Sequence, residues 1–173
     1  GRTTKLKFGM SVMVLPGRNP VILAKELATL DRMSQGRLLP AFGLGVADPQ
    51  EQQAFGVERS QRAKIFNEAL AVVRACWTEE SVTFHGDYFN YDNLRVEPKP
   101  TQQPPDVWLG GIADSELKRV ARLADGWLPS FVTPEDTARG WDIITTTAAE
   151  HGRVIDPEHF GVLIPYAHRE IPD

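Results

Sequence analysis

Two short segments hold the residues best suited to meet a ligand: Gly43-Leu44-Gly45 and Gly110-Gly111-Ile112-Ala113. The first closes the apolar run GRLLPAFGLG. Neither a third glycine nor a Gly-Lys-Ser follows at the usual spacing, so it is not a triphosphate-binding loop. The second lies between the apolar run DVWL and a helical segment. Free backbone N–H groups and the positive end of a helix dipole favour an anion at such a junction. Ser130, at the end of GWLPS, closes a third run of the same kind. Other chemistry is sparse. His85, His151 and His159 offer no pair at metal-ligand spacing and read as solvated or capping groups. His168 follows the apolar run FGVLIPYA and is the histidine to test. No Ser-His-Asp or Cys-His spacing nominates a hydrolase. Cys76, the single cysteine, sits at helical spacing from Ala69, Val72 and Val73 and reads as a small buried apolar residue.

The bulk properties restrict the partners. The chain has 173 residues, 42% hydrophobic and 24% charged, enough for one domain with a sizeable core. Its 19 basic residues against 23 acidic ones give a net charge of −4, which argues against nucleic acid or an anionic membrane as partner. One cysteine excludes an internal disulfide and fits a reducing, cytoplasmic setting. No apolar run approaches a membrane span, and GRTTKLKFGM lacks the organisation of a signal peptide.

The elements that carry these segments alternate. KLKFGMSVMVL (5–15) and Arg37 to Phe42 read as strands buried on both faces, as in parallel sheets. Between them Asn19 caps a helix with Pro20 at its first position. Val21, Ala24, Leu27, Ala28 and Met33 fall on one face of that helix, and Gly36 stands at its end. ADPQEQQAFGVER reads as a loop, with Ser60 capping the next helix. SVTFHGDYFNYDNLRVEPKP reads as an inserted hairpin turning at His85-Gly86-Asp87. DVWLGG, a helix through Leu117, Val120, Ala121 and Ala124, GWLPS, a helix opened by Thr133-Pro134-Glu135-Asp136, and FGVLIPYAH (160–168) complete the order. Five core strands alternating with four helices imply parallel strands with helical crossovers. Ligand-facing residues after several strands favour a (β/α)8 barrel over an open sheet, whose ligand loops gather at one switch point.

Several segments in this order resemble the bacterial luciferase-like superfamily. They are KLKFGMSVMVLPGRNPVILAKELATLDRMSQGRLLPAFGLG, AFGV, ACWTEE, VTFHGDYFNYDNLRVEPKPTQQP, DVWLGG and ARLADGWLPS. LLPAFGLG together with VWLGGIADSELKRVARLADGWLPSF is most similar to the F420-dependent oxidoreductases of actinobacteria. The resemblance implies an incomplete (β/α)8 TIM barrel, residues 1–173 forming one partial domain, with the hairpin inserted after the fourth family strand. A complete barrel takes about 250 residues, so early and late units are expected in a longer protein. It further implies deazaflavin F420 as cofactor, with FMN the alternative, and hydride transfer to or from a small organic substrate. An FMN-dependent monooxygenase and a non-catalytic, cut-down homologue are the rival readings. By resemblance, Ser11 and Val12 form a bulge with a non-prolyl cis peptide behind the cofactor ring. Gly43 and Gly45 leave room for that ring, and Asp48 stands near its polar edge. Gly110, Gly111, Ile112 and Ala113 hold the phosphate. Arg18, Arg37 and Lys99 are bases available to an acidic cofactor tail. A homodimer is implied, and no catalytic acid or base is nominated.

Overall fold

The computed structural model describes residues 2–46 and 48–163, and its architecture is the expected alternation of strands and helices. Strands β1 (Phe8–Gly9) and β2 (Met13–Val14) precede helix α1 (Pro20–Ser34). Strands β3 (Leu38–Leu39) and β4 (Ala41–Gly43) lead to helices α2 (Pro49–Phe55) and α3 (Arg62–Thr78). The hairpin β5 (Val82–His85) and β6 (Asn90–Leu94) follows, then β7 (Trp108–Leu109), α4 (Asp114–Leu123), β8 (Gly126–Trp127) and α5 (Pro134–Glu150). The main sheet runs β2-β4-β7-β8, with every pair parallel. A bridge from Trp127 to Phe160 extends it, and among the described residues the sheet does not close. This open parallel arc is what the incomplete (β/α)8 barrel implied by the resemblance requires. No described helix is long and apolar enough to cross a membrane.

Each of the two expected first strands is broken in two. Phe8 pairs with Leu38, whereas Met13 pairs with Phe42, so the first strand takes one residue more than its partner between these pairings. An extra residue on one side of a ladder is a bulge. The Ser11-Val12 peptide within it is cis, as the resemblance implies.

Alternation along the strands separates two faces. Leu15, Phe42, Leu109 and Trp127, all at most 2% exposed, face the helices. Each such side chain contributes about 1.5–3 kcal/mol by burial. A Cβ on Gly140 of α5 would lie within 3.0 Å of the Trp127 ring, so this helix reaches the sheet only because that residue is glycine. Trp77 donates its Nε1–H to the Ala24 carbonyl at 3.0 Å, joining α3 to α1.

Three buried or half-buried carboxylates tie elements together. Asp31, fully buried near the end of α1, accepts the N–H groups of Thr101 and Gln102 at 2.8 and 2.9 Å and Gln102 Nε2 at 2.8 Å. Glu68 of α3 accepts the N–H groups of Asp87, Tyr88 and Phe89 at 2.9–3.3 Å and so holds the hairpin turn. Asp125 accepts Arg74 at 2.6 Å and the Val107 N–H at 2.9 Å, and Arg153 lies 3.8 Å away. All three partners of Asp125 lie at the end of the sheet where β7 and β8 begin.

Local chemistry explains where the sequence expectations hold and fail. Asn19 accepts Val21 N and Ile22 N, and Thr133 and Asp136 form a capping box, as their types and spacing imply. Met33 is 78% exposed rather than facing inward. Ser60 is not a cap: α3 starts at Arg62 with no side-chain cap. The expected loop at 47–59 contains α2, whose N-cap is Asp48. Arg18, Arg37 and Lys99 are all engaged on backbone carbonyls, of Val14, of Ser34 and Leu6, and of Cys76 and Glu79 respectively. Lys99 thereby caps the negative end of α3. The second half of the expected strand 160–168, with His168, lies outside the described residues.

Cys76 is 1% exposed. Burial pushes its thiol pKa up, against a smaller opposing effect of Lys99, while Glu79 adds to the rise. The reactive thiolate is therefore scarcer than for a free cysteine at any pH below the raised value. In the native protein a disulfide-exchange reagent at pH 8 is expected to leave Cys76 unmodified, with full labelling once guanidinium unfolds the chain. Rapid native labelling would contradict this placement.

Candidate functional site

The side chain of Val12, the residue just before β2, meets the outgoing ends of β4 and β7. A Cβ on Gly43 would stand 2.7 Å from Val12 Cγ2, and one on Gly110 would stand 3.2 and 3.3 Å from its two methyl carbons. The Val12 side chain therefore occupies the space that any larger residue at 43 or 110 would claim. These glycines are required by close approach rather than by turn conformation. Val12, Gly43 and Gly110 thus belong to one rim, and Ser11 lies beside them in the chain.

Gly45 has φ +85, and a Cβ there would meet the Glu51 carboxylate and Arg62, 3.2 Å from Nη1. It borders a cleft of about 260 Å³ between the loop after β4, the start of α3 and the start of α4. Three arginines, Arg59, Arg62 and Arg119, line it together with Ser115 and Glu116. Arg62 is 5% exposed, pairs with Glu51 at 3.1 Å and donates to the Val46 carbonyl at 2.6 Å. Arg119 is 7% exposed, donates from Nε to Asn67 Oδ1 at 3.0 Å and lies 5.7 Å from the Phe66 ring centroid. No carboxylate lies within salt-bridge distance of Arg119 among the described residues. Burial lowers its pKa and the nearby Glu116 charge opposes that. An arginine remains charged under such a shift.

The junction Gly110–Ala113 is an anion site that already contains an anion. One oxygen of Glu116 accepts the N–H groups of Ile112 and Ala113 at 3.0 and 3.1 Å. Gly111, at φ +115, permits this because a Cβ would meet Glu116 within 2.9 Å. Ala113 lines the cleft. Asp48 is committed elsewhere: its carboxylate accepts Gln50 N at 2.8 Å as the cap of α2. Three exposed apolar side chains, Val46, Ile112 and Phe131, stand on the loops after β4, β7 and β8, at the same ends of parallel strands. No cluster of His, Cys, Asp and Glu among the described residues could hold a metal ion.

Sequence reasoning passed over Arg59, Arg62, Ser115, Glu116 and Arg119. Arg62 carried a signal. It continues the stripe Ile65, Ala69, Val72, Val73 and Cys76 back by one turn, and a charge in an apolar stripe is unusual unless paired. Arg119 carried none, because Lys118, Arg119 and Arg122 together read as a solvated face.

Parallel strands whose glycine-bearing tips converge beside an arginine-lined cleft agree with a match along nearly the whole chain. The family model for luciferase-like monooxygenases covers residues 1–172, and the protein belongs to that family. Among its relatives, the phthiodiolone/phenolphthiodiolone dimycocerosates ketoreductase of Mycobacterium kansasii is 31% identical over 175 residues, which are 99% of this chain and 46% of that protein. An F420-dependent secondary alcohol dehydrogenase, solved with an F420–acetone adduct, superposes with a TM-score of 0.80 at 26% identity, over 93% of this chain and 50% of the other. The oxygenating constituent of a type II Baeyer–Villiger monooxygenase from Pseudomonas putida, solved with FMN, shares the fold. Its TM-score is 0.78 at 20% identity, over 90% of this chain and 47% of the other. The chain spans about half the length of the curated relatives it matches.

Proposed function

We propose that the protein is an oxidoreductase that uses deazaflavin F420 to transfer hydride to or from a small organic substrate. The observation that carries this reading is Val12 packed against Gly43 and Gly110 at the outgoing ends of β4 and β7, next to a cleft with a buried arginine that makes no salt bridge among the described residues. A planar ring needs close backbone approach on one face, and a phosphate needs fixed cations and N–H donors near it. The residues fit both demands. Ser11, Val12, Gly43 and Gly45 would back the ring. The turn Gly110, Gly111, Ile112 and Ala113, whose Ile112 and Ala113 N–H groups Glu116 already holds, would place the phosphate at the next N–H groups of α4, joined by Arg59, Arg119 and Ser115. When bound, the cofactor supplies the hydride chemistry, and the chain's part is to hold, orient and shield. The relatives whose names describe a ketoreductase and a secondary alcohol dehydrogenase make a ketone or secondary alcohol the first substrate to test.

The test is a fluorescence titration of the full-length protein with F420 and, separately, with FMN, followed by turnover of ketones with reduced F420. Saturable F420 binding with ketone-dependent oxidation of the reduced cofactor is the expected result. Tight FMN retention with oxygen consumption would replace this reading with the monooxygenase one, and binding of neither cofactor would leave a non-catalytic homologue.

A further inference from the structure

Glu116 does something unusual for a residue beside a phosphate site: it puts a carboxylate on the very donors a phosphate would use. Ile112 N and Ala113 N both donate to its Oε2. The charges around it can be summed. Arg62 is neutralised by Glu51 at 3.1 Å. Arg59 is exposed and therefore screened by solvent. Asp114 points away, to Arg139 at 2.7 Å. What remains in the cleft is Arg119, more than nine-tenths buried without a carboxylate partner among the described residues, and the resident Glu116. Among the described residues no acceptor meets the N–H groups of Asp114 and Ser115, the next two donors of α4. A helix N-terminus leaves such groups for a ligand.

We infer that Glu116 selects the charge of the phosphate this cleft accepts, favouring a singly charged phosphodiester over a phosphomonoester. The inference rests on the cofactor reading above. A diester carries one negative charge, which Arg119 attracts and Glu116 opposes, and it takes the donors that Glu116 leaves. A monoester carries about −1.5 to −2 at neutral pH, and its second charge falls beside the Glu116 carboxylate with only the exposed Arg59 to offset it. Like charges a few ångströms apart at an effective dielectric near 20 disfavour binding on the order of tenfold or more. Glu116 is thus a specificity-determining residue, separating ligands of one ring by how their phosphate is esterified.

The experiment uses the full-length protein at pH 8 and three ligands with one ring: the phosphate-free deazaflavin, its 5′-phosphate monoester, and the methyl diester of that phosphate. Dissociation constants are read from deazaflavin fluorescence for the wild type, Glu116→Gln and Asp114→Asn. Glutamine keeps an oxygen for Ile112 N and Ala113 N, so the cap persists without the charge. The wild type is expected to bind the diester on the order of tenfold more tightly than the monoester. Glu116→Gln is expected to tighten both esters, the monoester by about tenfold more than the diester, while moving the phosphate-free ring by less than about twofold. Asp114→Asn, the nearby control, is expected to leave the diester preference in place. Equal affinity for the two esters in the wild type, or an unchanged ratio in Glu116→Gln, would overturn the role of Glu116 while leaving the phosphate reading intact. If neither ester gains over the phosphate-free ring, or no ligand binds, both the inference and the phosphate reading fall.

Discussion

Gly43→Ala is expected to destabilise the protein and to weaken cofactor binding at least on the order of tenfold, a large effect for one added methyl group. Two opposing contributions decide the sign. Alanine at a strand glycine with ordinary φ reduces unfolded-state freedom and would stabilise by about 0.4–1 kcal/mol. Against this, the new Cβ would stand 2.7 Å from Val12 Cγ2. Val12 is β-branched and stiff at χ1, so its methyl group cannot readily rotate out of the way. Overpacking of this kind costs about 1–3 kcal/mol, so the clash wins. Urea unfolding measures the stability change, and F420 titration measures the affinity. The same explanation requires rescue: Val12→Ala in the Gly43→Ala background is expected to restore most of the lost stability. Additive effects in that double-mutant cycle would show that the two side chains do not compete for one space.

Asp31→Ala is expected to cost roughly 3 kcal/mol, since a buried donor left unsatisfied costs about 1–3 kcal/mol, enough to leave a marginally stable domain partly unfolded. A carboxylate near the end of a helix opposes the dipole, so its presence there calls for compensation. The compensation is three donors: Thr101 N, Gln102 N and Gln102 Nε2. Alanine leaves all three without their acceptor, next to a connection studded with prolines. Asp31→Asn is expected to be intermediate. Its amide would face Gln102 Nε2, donor to donor, and Gln102 cannot flip freely because Nε2 also donates to the Leu38 carbonyl at 2.8 Å. Urea midpoints ranked wild type, Asn, Ala would agree with this account. An alanine variant as stable as the wild type would contradict it.

The parts of the fold legible in the sequence are those governed by local chemistry. Asn19-Pro20 and Thr133-Pro134 marked helix starts because caps and first-position prolines act within one turn of chain. The hairpin around His85-Gly86-Asp87 was legible from its aromatic strands and turn residues. Breaks in the first two strands were not legible, since apolar runs such as KLKFGMSVMVL do not reveal where a bulge falls. Helix α2 was hidden in a polar segment whose formation depends on the Asp48 cap and on packing of Phe55 beneath Gly17. At the site, the glycines could be nominated from strand ends and family resemblance, but their meeting at Val12 is tertiary. Glu116 and Arg119 look like ordinary helix-surface charges in the sequence. Their significance comes from what α3 and the loop after β4 bring opposite them.

The Asp125 cluster gives the sheet an anchored base. It fastens α3, the approach to β7 and the segment after α5 to one carboxylate, at the opposite end of β7 from Gly110. Strands held where they begin keep their order when the segments at their far ends are exchanged. Residues such as Val46, Ile112 and Phe131 can therefore be replaced with little loss of architecture.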